Sequence, residues 1–255
     1  MSPTTHVLIT GASRGIGKGL VAAYLNSSNT TVVAAVRNIA SADSLRSLPK
    51  ASGSRLVVIN INVASADSIK RGITSMELEH KIDSLDVVLA NAGIAAVSPG
   101  LSEIDVGDIQ PFLNVNAYGQ LELFKAVAPL LRRSSSGAPS KFMYMSSLGG
   151  SLTAMNTVAP LSAYGASKAL GNFLFRWLAL EQQEIIMWSQ HPGIVATDMA
   201  QIAFDSLKGK IDFDFAGQAV SVEQSCQNIL EIVSGVTLDQ AHGKFLGPDG
   251  TELPW

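Results

Sequence analysis

A tyrosine and a lysine four residues apart, Tyr164 and Lys168, are the pair in this chain best suited to moving a proton. On a helix that spacing puts both side chains on one face, one turn apart. The run that follows, Ala169 to Leu178, is rich in apolar helix formers. A phenol alone titrates at about 10, too high to exchange a proton efficiently near neutrality. A neighbouring ammonium favours the phenolate and is expected to lower that value, which makes the pair a candidate general acid. Taken alone, a Tyr-x-x-x-Lys pair is most often an ordinary exposed helix pair, so its weight depends on the rest of the chain.

The elements that would position the pair read as strands alternating with helices. Val7–Thr10 is an apolar run that enters Gly11-Ala-Ser-Arg-Gly15-Ile-Gly17, and helix formers follow to Leu25. Glycines in a strand-to-helix turn let the backbone approach a pyrophosphate, and the helix N-terminus offers free N–H groups. Further strand patterns fall at 31–36, 55–60, 85–90, 141–145, 184–190 and 244–246, with helical patterns at 41–48, 66–80, 109–133 and 222–233. Pro111 and Pro129 fall near the ends of the long helical stretch, where proline is tolerated. This order predicts an α/β fold, one doubly wound domain over 1–255 with a mostly parallel seven-stranded sheet and helices on both faces. Residues 200–217 show no clean periodicity, so a mobile lid over about 198–220 is expected.

The tip of the second strand bears on cofactor choice. An acid there binds the ribose 2′-hydroxyl of NAD, and a base suits the 2′-phosphate of NADP. This chain has Val36 and Arg37 there and no acid. Arg14, in the first glycine loop, is a second candidate for the phosphate through its planar fork. NADP(H) is therefore the expected cofactor.

Composition narrows the remaining classes. The chain has 255 residues, enough for one large α/β domain, and carries a net charge of −3. That balance gives no reason to expect nucleic acid or an anionic membrane as a partner. One cysteine, Cys226, excludes a disulfide framework, and four scattered histidines have no metal-ligand spacing, so no metal site is expected. The sequence start has no basic, apolar leader pattern, and a soluble cytoplasmic protein is the default expectation. Charged residues make up only 15%, against about a quarter in typical domains, which suggests surface hidden in an oligomer.

Together these motifs resemble the short-chain dehydrogenase/reductase family over nearly the whole chain. The residues that carry the resemblance are Thr10-Gly11-Ala-Ser-Arg-Gly15-Ile-Gly17, Asn91-Ala-Gly93, Asn116, Ser147, Tyr164-x-x-x-Lys168, and Pro192-Gly193 with Thr197. The tail Gly243 to Trp255 is similar to the C-factor and sniffer-type carbonyl reductases, a branch that includes fungal norsolorinic acid ketoreductases. The resemblance implies a Rossmann fold and a reductase of a hydrophobic, polyketide-like carbonyl compound, working as a homodimer or homotetramer. It implies that Tyr164 protonates the carbonyl oxygen as NADPH delivers hydride, and that Ser147 holds that oxygen. It implies that Lys168 lowers the tyrosine pKa and binds the nicotinamide ribose, and that Asn116 anchors a relay water. Gly11, Ser13, Arg14 and Ile16 would surround the phosphates, with Gly17 in the same turn. Asn62 and Val63 would meet the adenine, Asn91 and Gly93 would lie along the adenosine side, and Val195 and Thr197, after Pro192 and Gly193, would hold the carboxamide. The dimer would pair the helices carrying Asn116 and Tyr164 through Leu121, Phe124 and Leu131 on one, and Phe173, Trp177 and Leu180 on the other.

Two departures from the family pattern stand out. Asn62 replaces the usual aspartate at the third strand tip, although its side-chain oxygen can still accept a hydrogen bond. Ser146 and Ser147 are adjacent and alternate across the strand; the family's usage favours the second. An imine substrate and a catalytically silent dinucleotide-binding sensor remain as alternatives to a ketone reductase.

Overall fold

The computed structural model describes residues 4–134, 136–155, 160–205 and 215–255. Its seven strands are β1 (Thr5–Thr10), β2 (Thr30–Val36), β3 (Arg55–Asn60), β4 (Val87–Ala90), β5 (Lys141–Met145), β6 (Ile186–Gln190) and β7 (Phe245–Leu246). The helices are α1 (Gly15–Leu25), α2 (Asp43–Arg46), α3 (Ala66–Leu78), α4 (Val106–Leu113), α5 (Gly119–Arg132), α6 (Ser162–Glu181), α7 (Asp198–Asp205), α8 (Phe215–Gln218), α9 (Val222–Gly235) and α10 (Leu238–Ala241). The strands form one parallel sheet in the order β3-β2-β1-β4-β5-β6-β7. The order reverses between β1 and β4, and that switch point opens a crevice at the carboxyl ends of the strands.

Alternation along each strand builds two cores. Leu8, Val33, Phe142 and Tyr144 face α3, α5 and α6, whereas Val7, Ile9, Met143 and Trp188 face α1, α2, α9 and α10. With both faces covered, the middles of the strands are mostly apolar, and all seven residues of β2 are buried. An aromatic ladder fastens α6 to β5. Phe142 stacks on Phe175 at 5.3 Å and meets Phe124 edge-on at 5.2 Å, and Tyr144 stacks on Phe175 at 4.6 Å. The ladder fixes the helix that carries Tyr164 and Lys168 to the strand that leads to Ser147.

The long helix differs from expectation in two ways. It begins at Val106, three residues early, because Asp105 caps it by accepting from Gly107 N–H at 2.7 Å. Pro111 therefore lies in the second turn of α4, where it has no N–H to give the carbonyl four residues back. Between α4 and α5 the chain makes one wide π-helical turn, Asn114–Tyr118, which turns Asn116 inward. Gly119 then passes so close to the β3–α3 connection that a Cβ there would collide with the Val63 carbonyl.

Two other expectations need correction. The stretch expected to be an irregular lid contains α7, started by Thr197, whose hydroxyl accepts from Ala200 N–H at 3.3 Å. Thr-Asp at 197–198 was the readable signal, a capping residue followed by an acid in the first turn. Residues 206–214 of that lid lie outside the described residues. Among the residues expected to form a dimer face, Phe124 and Leu131 are core, 3% and 1% exposed, because the sheet claims that side of α5. Phe173, Trp177 and Leu180 stand out from α6, 59%, 55% and 69% exposed.

Candidate active site

A cleft of about 460 Å³ lies over the carboxyl ends of β1, β2, β4, β5 and β6. Every residue expected to touch the cofactor lines it: Gly11, Ser13, Arg14, Ile16, Gly17, Arg37, Asn62, Val63, Asn91, Gly93, Tyr164, Lys168, Pro192, Gly193, Val195 and Thr197. Ser147 lines it too. Asn116 does not; it is fully buried beside the cleft.

The glycine turn has the shape of an anion cradle. Gly11 and Gly15 hold φ values of 65° and 53°, in the left-handed region that favours glycine. A Cβ on Gly17 would collide with the Gly11 carbonyl and approach Asn91 Nδ2 to 2.6 Å. Helix α1 starts with no side-chain cap and no acid in its first turn, so its leading N–H groups and positive dipole end face the cleft without a competing carboxylate on the helix. These features fit a dinucleotide pyrophosphate. Asn91 braces the turn from the side, its amide donating to the Thr10 carbonyl at 2.9 Å. Asn62 uses its side-chain oxygen to accept from Ala64 N–H at 3.2 Å, which leaves one lone pair for a further donor. Arg14 stands 3.8 Å from Asp198, an exposed pair that costs little to open. The Arg37 backbone is held by Asn60, whose amide donates to its carbonyl at 2.8 Å.

Three side chains converge on the chemistry. The two serines part as strand alternation requires. The Ser146 hydroxyl turns inward and donates to Asn172 Oδ1 at 2.6 Å, whereas Ser147 faces the cleft with Tyr164, its Oγ accepting from Gly149 N–H at 3.2 Å. Lys168 is 3% exposed and donates to the Met145 carbonyl at 2.6 Å. Burial pushes its ammonium down to about 7, so that it shares its time between charged and neutral forms near neutrality. Burial likewise pushes the Tyr164 phenol up from its ordinary value, and the neighbouring Ser147 hydroxyl opposes that push. This corrects the expectation that Lys168 draws the phenol down. The lysine stands 5.8 Å from the tyrosine ring and gives its hydrogen bond to a backbone carbonyl.

Asn116 forms a knot of hydrogen bonds. Its side-chain oxygen accepts from Ile94 N–H, and its amide donates to the Ile94 carbonyl and to Ser167 Oγ, all at 2.9 Å. Its backbone carbonyl accepts the Tyr144 hydroxyl at 2.8 Å. The sequence reading passed over Tyr144 and His191. His191 directly follows β6 and lines the cleft, and its Nδ1 accepts from Leu148 N–H at 3.3 Å. The only readable signal was its place immediately before Pro192-Gly193.

The family model for short chain dehydrogenases matches residues 5–207 of this chain. The short chain dehydrogenase gsfK of Penicillium aethiopicum is 50% identical over 250 residues, covering 98% of both chains. The norsolorinic acid ketoreductase of Dothistroma septosporum is 35% identical over 258 residues, covering all of this chain and 94% of its own. Among solved structures, the NADPH-bound carbonyl reductase from chicken fatty liver superposes with a TM-score of 0.84 at 27% identity, covering 99% of this chain and 100% of its own. The carbonyl reductase Sniffer of D. melanogaster gives 0.82 at 29%, with the same coverage.

His191 yields a stability prediction. Burial holds its imidazole down to about 4, from an ordinary 6.5. As pH falls from 6.5 toward 4, the unfolded chain takes up this proton before the folded one, so stability contributed by the neutral ring is lost across that window. His191→Asn should flatten the dependence by up to one proton, about 1.4 kcal/mol per pH unit. Urea unfolding of both proteins across this window checks it, and parallel curves would contradict it.

Proposed function

The chain belongs to the short-chain dehydrogenase family, and from that premise we propose that it is an NADPH-dependent reductase of hydrophobic ketones or aldehydes. The observation that carries this reading is the convergence of Ser147, Tyr164 and Lys168 in the same cleft as the uncapped glycine turn. NADPH, when bound, supplies the hydride for the carbonyl carbon. Ser147 is placed to donate a hydrogen bond to the substrate oxygen, and Tyr164 to give that oxygen its proton. Burial keeps the phenol protonated until negative charge develops on the substrate oxygen, so the proton is available where it is needed. Lys168 supplies positive charge below the phenol and is within reach of a cofactor ribose.

Apolar walls support the substrate class. Leu148 and Met199 line the cleft and are 39% and 37% exposed. Exposed apolar side chains clustered around a cleft suit an apolar ligand. Relatives named as norsolorinic acid ketoreductases and carbonyl reductases support a carbonyl substrate of fungal polyketide type. Arg37 and Arg14, with no acid at the tip of β2, support NADPH over NADH.

The exposed stripe on α6 supports a homodimer. Phe173 and Trp177 stack at 5.9 Å, and Leu180 extends the same row. A contiguous apolar row of this kind is best covered by its own copy, because the symmetric partner brings the same apolar face.

Three measurements test this reading. Tyr164→Phe keeps the ring and its packing but removes the proton, so NADPH should still bind while kcat falls by roughly 10²–10⁴-fold; near-normal kcat would remove Tyr164 as the acid. Arg37→Ala should raise KM for NADPH and leave NADH nearly unchanged, whereas equal efficiency of the unaltered protein with both cofactors would overturn the preference. Light scattering should give at least twice the 26.8 kDa chain mass, and Trp177→Glu should shift it toward the monomer; a monomer before substitution would contradict the dimer.

A further inference from the structure

The proposed chemistry leaves one residue below the cleft without a role. Tyr144 on β5 is fully buried, and its hydroxyl donates to the Asn116 carbonyl at 2.8 Å. The Lys168 ammonium stands over its ring, 5.0 Å from the centroid, closer than to the Tyr164 ring at 5.8 Å. Opposite, on α6, is Gly171. A Cβ there would collide with the Tyr144 hydroxyl and come within 2.5 Å of the ring carbon that bears it. The space for this phenol exists because residue 171 has no side chain.

Lys168 presents a problem that Tyr144 answers. It is buried, and among the described residues no carboxylate pairs with it. Its hydrogen bond goes to the neutral Met145 carbonyl. The titratable groups nearest it are Tyr144 from β5 and Tyr164 from its own helix, and His191 lines the same cleft from the end of β6. We propose that Tyr144 is a positioning residue for Lys168, its ring holding the ammonium in place and its hydroxyl fixing the ring against the Asn116 carbonyl. The proposal rests on the reading of Lys168 as the active-site cation.

An aromatic face attracts a cation within about 6 Å, most strongly where both are desolvated. A carboxylate in this position would hold the lysine charged at every working pH and compete with Tyr164 for its charge. A ring favours the charged form only modestly, so Lys168 keeps its freedom to titrate near neutrality. Tyr144 itself stays a hydrogen-bond donor, because burial and then the neighbouring Tyr164 hold its phenol well above its ordinary range.

The test is the titration of Lys168, followed by NMR on the whole chain with labelled lysine, its signal assigned by Lys168→Arg. Tyr144 is replaced by phenylalanine and then by phenylalanines with one, two and three ring fluorines, which are nearly isosteric and progressively weaken the ring face. Phenylalanine should keep the Lys168 midpoint, and the fluorinated series should lower it stepwise, by roughly half to one and a half pH units in all. Tyr144→Val with Gly171→Ala, which refills the space without a ring, should give a fall of the same order. A midpoint that does not move along the fluorinated series overturns the proposal. A shift with phenylalanine as large as with the trifluorinated ring also overturns it, since the hydroxyl would then be the group responsible. The titration involves no turnover, so a flat series leaves the catalytic reading standing, and loss of that reading leaves the series informative.

Discussion

The site depends on keeping one ammonium in the interior without a counter-charge. Moving a cation out of water is expensive, and proteins normally offset that cost with a carboxylate or let the group lose its proton. Here Lys168 has a backbone carbonyl and two aromatic rings, and burial brings its titration to about 7. The arrangement around it follows from that constraint. The wide turn brings Asn116 inward to tie α6 to the segment after β4, through Ser167 and Ile94. Gly171 makes room for Tyr144, and the aromatic ladder of Phe124, Phe142 and Phe175 holds β5 and α6 in register. A slip of either element would carry Ser147 and Tyr164 apart.

Much of this was legible in the sequence where the physics is local. Hydrophobic runs alternating with helical periods gave the parallel α/β sheet, and the glycine turn, Asn91 and Pro192-Gly193 each fell at a strand end, which is where a doubly wound sheet opens its crevice. The limits came where a residue's role depends on partners distant in sequence. Tyr144 reads as one more β-strand aromatic until Gly171, 27 positions later, shows what it fits against. His191 reads as a scattered histidine until Leu148 N–H meets it. Phe124 and Leu131 read as a surface stripe because periodicity identifies an apolar face but not whether sheet or subunit covers it.

The acid–base expectation shows the same limit. Four-residue spacing correctly places Tyr164 and Lys168 on one helix face, but the sign of a pKa shift depends on burial as well as on the neighbour's charge. Lys168 is buried and Tyr164 half-buried, and desolvation is the largest influence on each. The tyrosine is therefore better described as a held proton than as a standing phenolate. That suits an acid, whose proton must stay in place until charge develops on the substrate oxygen.

The central claim is that this cleft reduces a carbonyl group at the expense of NADPH. Its most direct measurement is the stoichiometry of NADPH oxidation against alcohol formation over a panel of apolar aromatic and aliphatic ketones. The account predicts one alcohol per NADPH consumed, with the bulkier apolar ketones preferred. Tight NADPH binding with no oxidation by any ketone or aldehyde of the panel would contradict it.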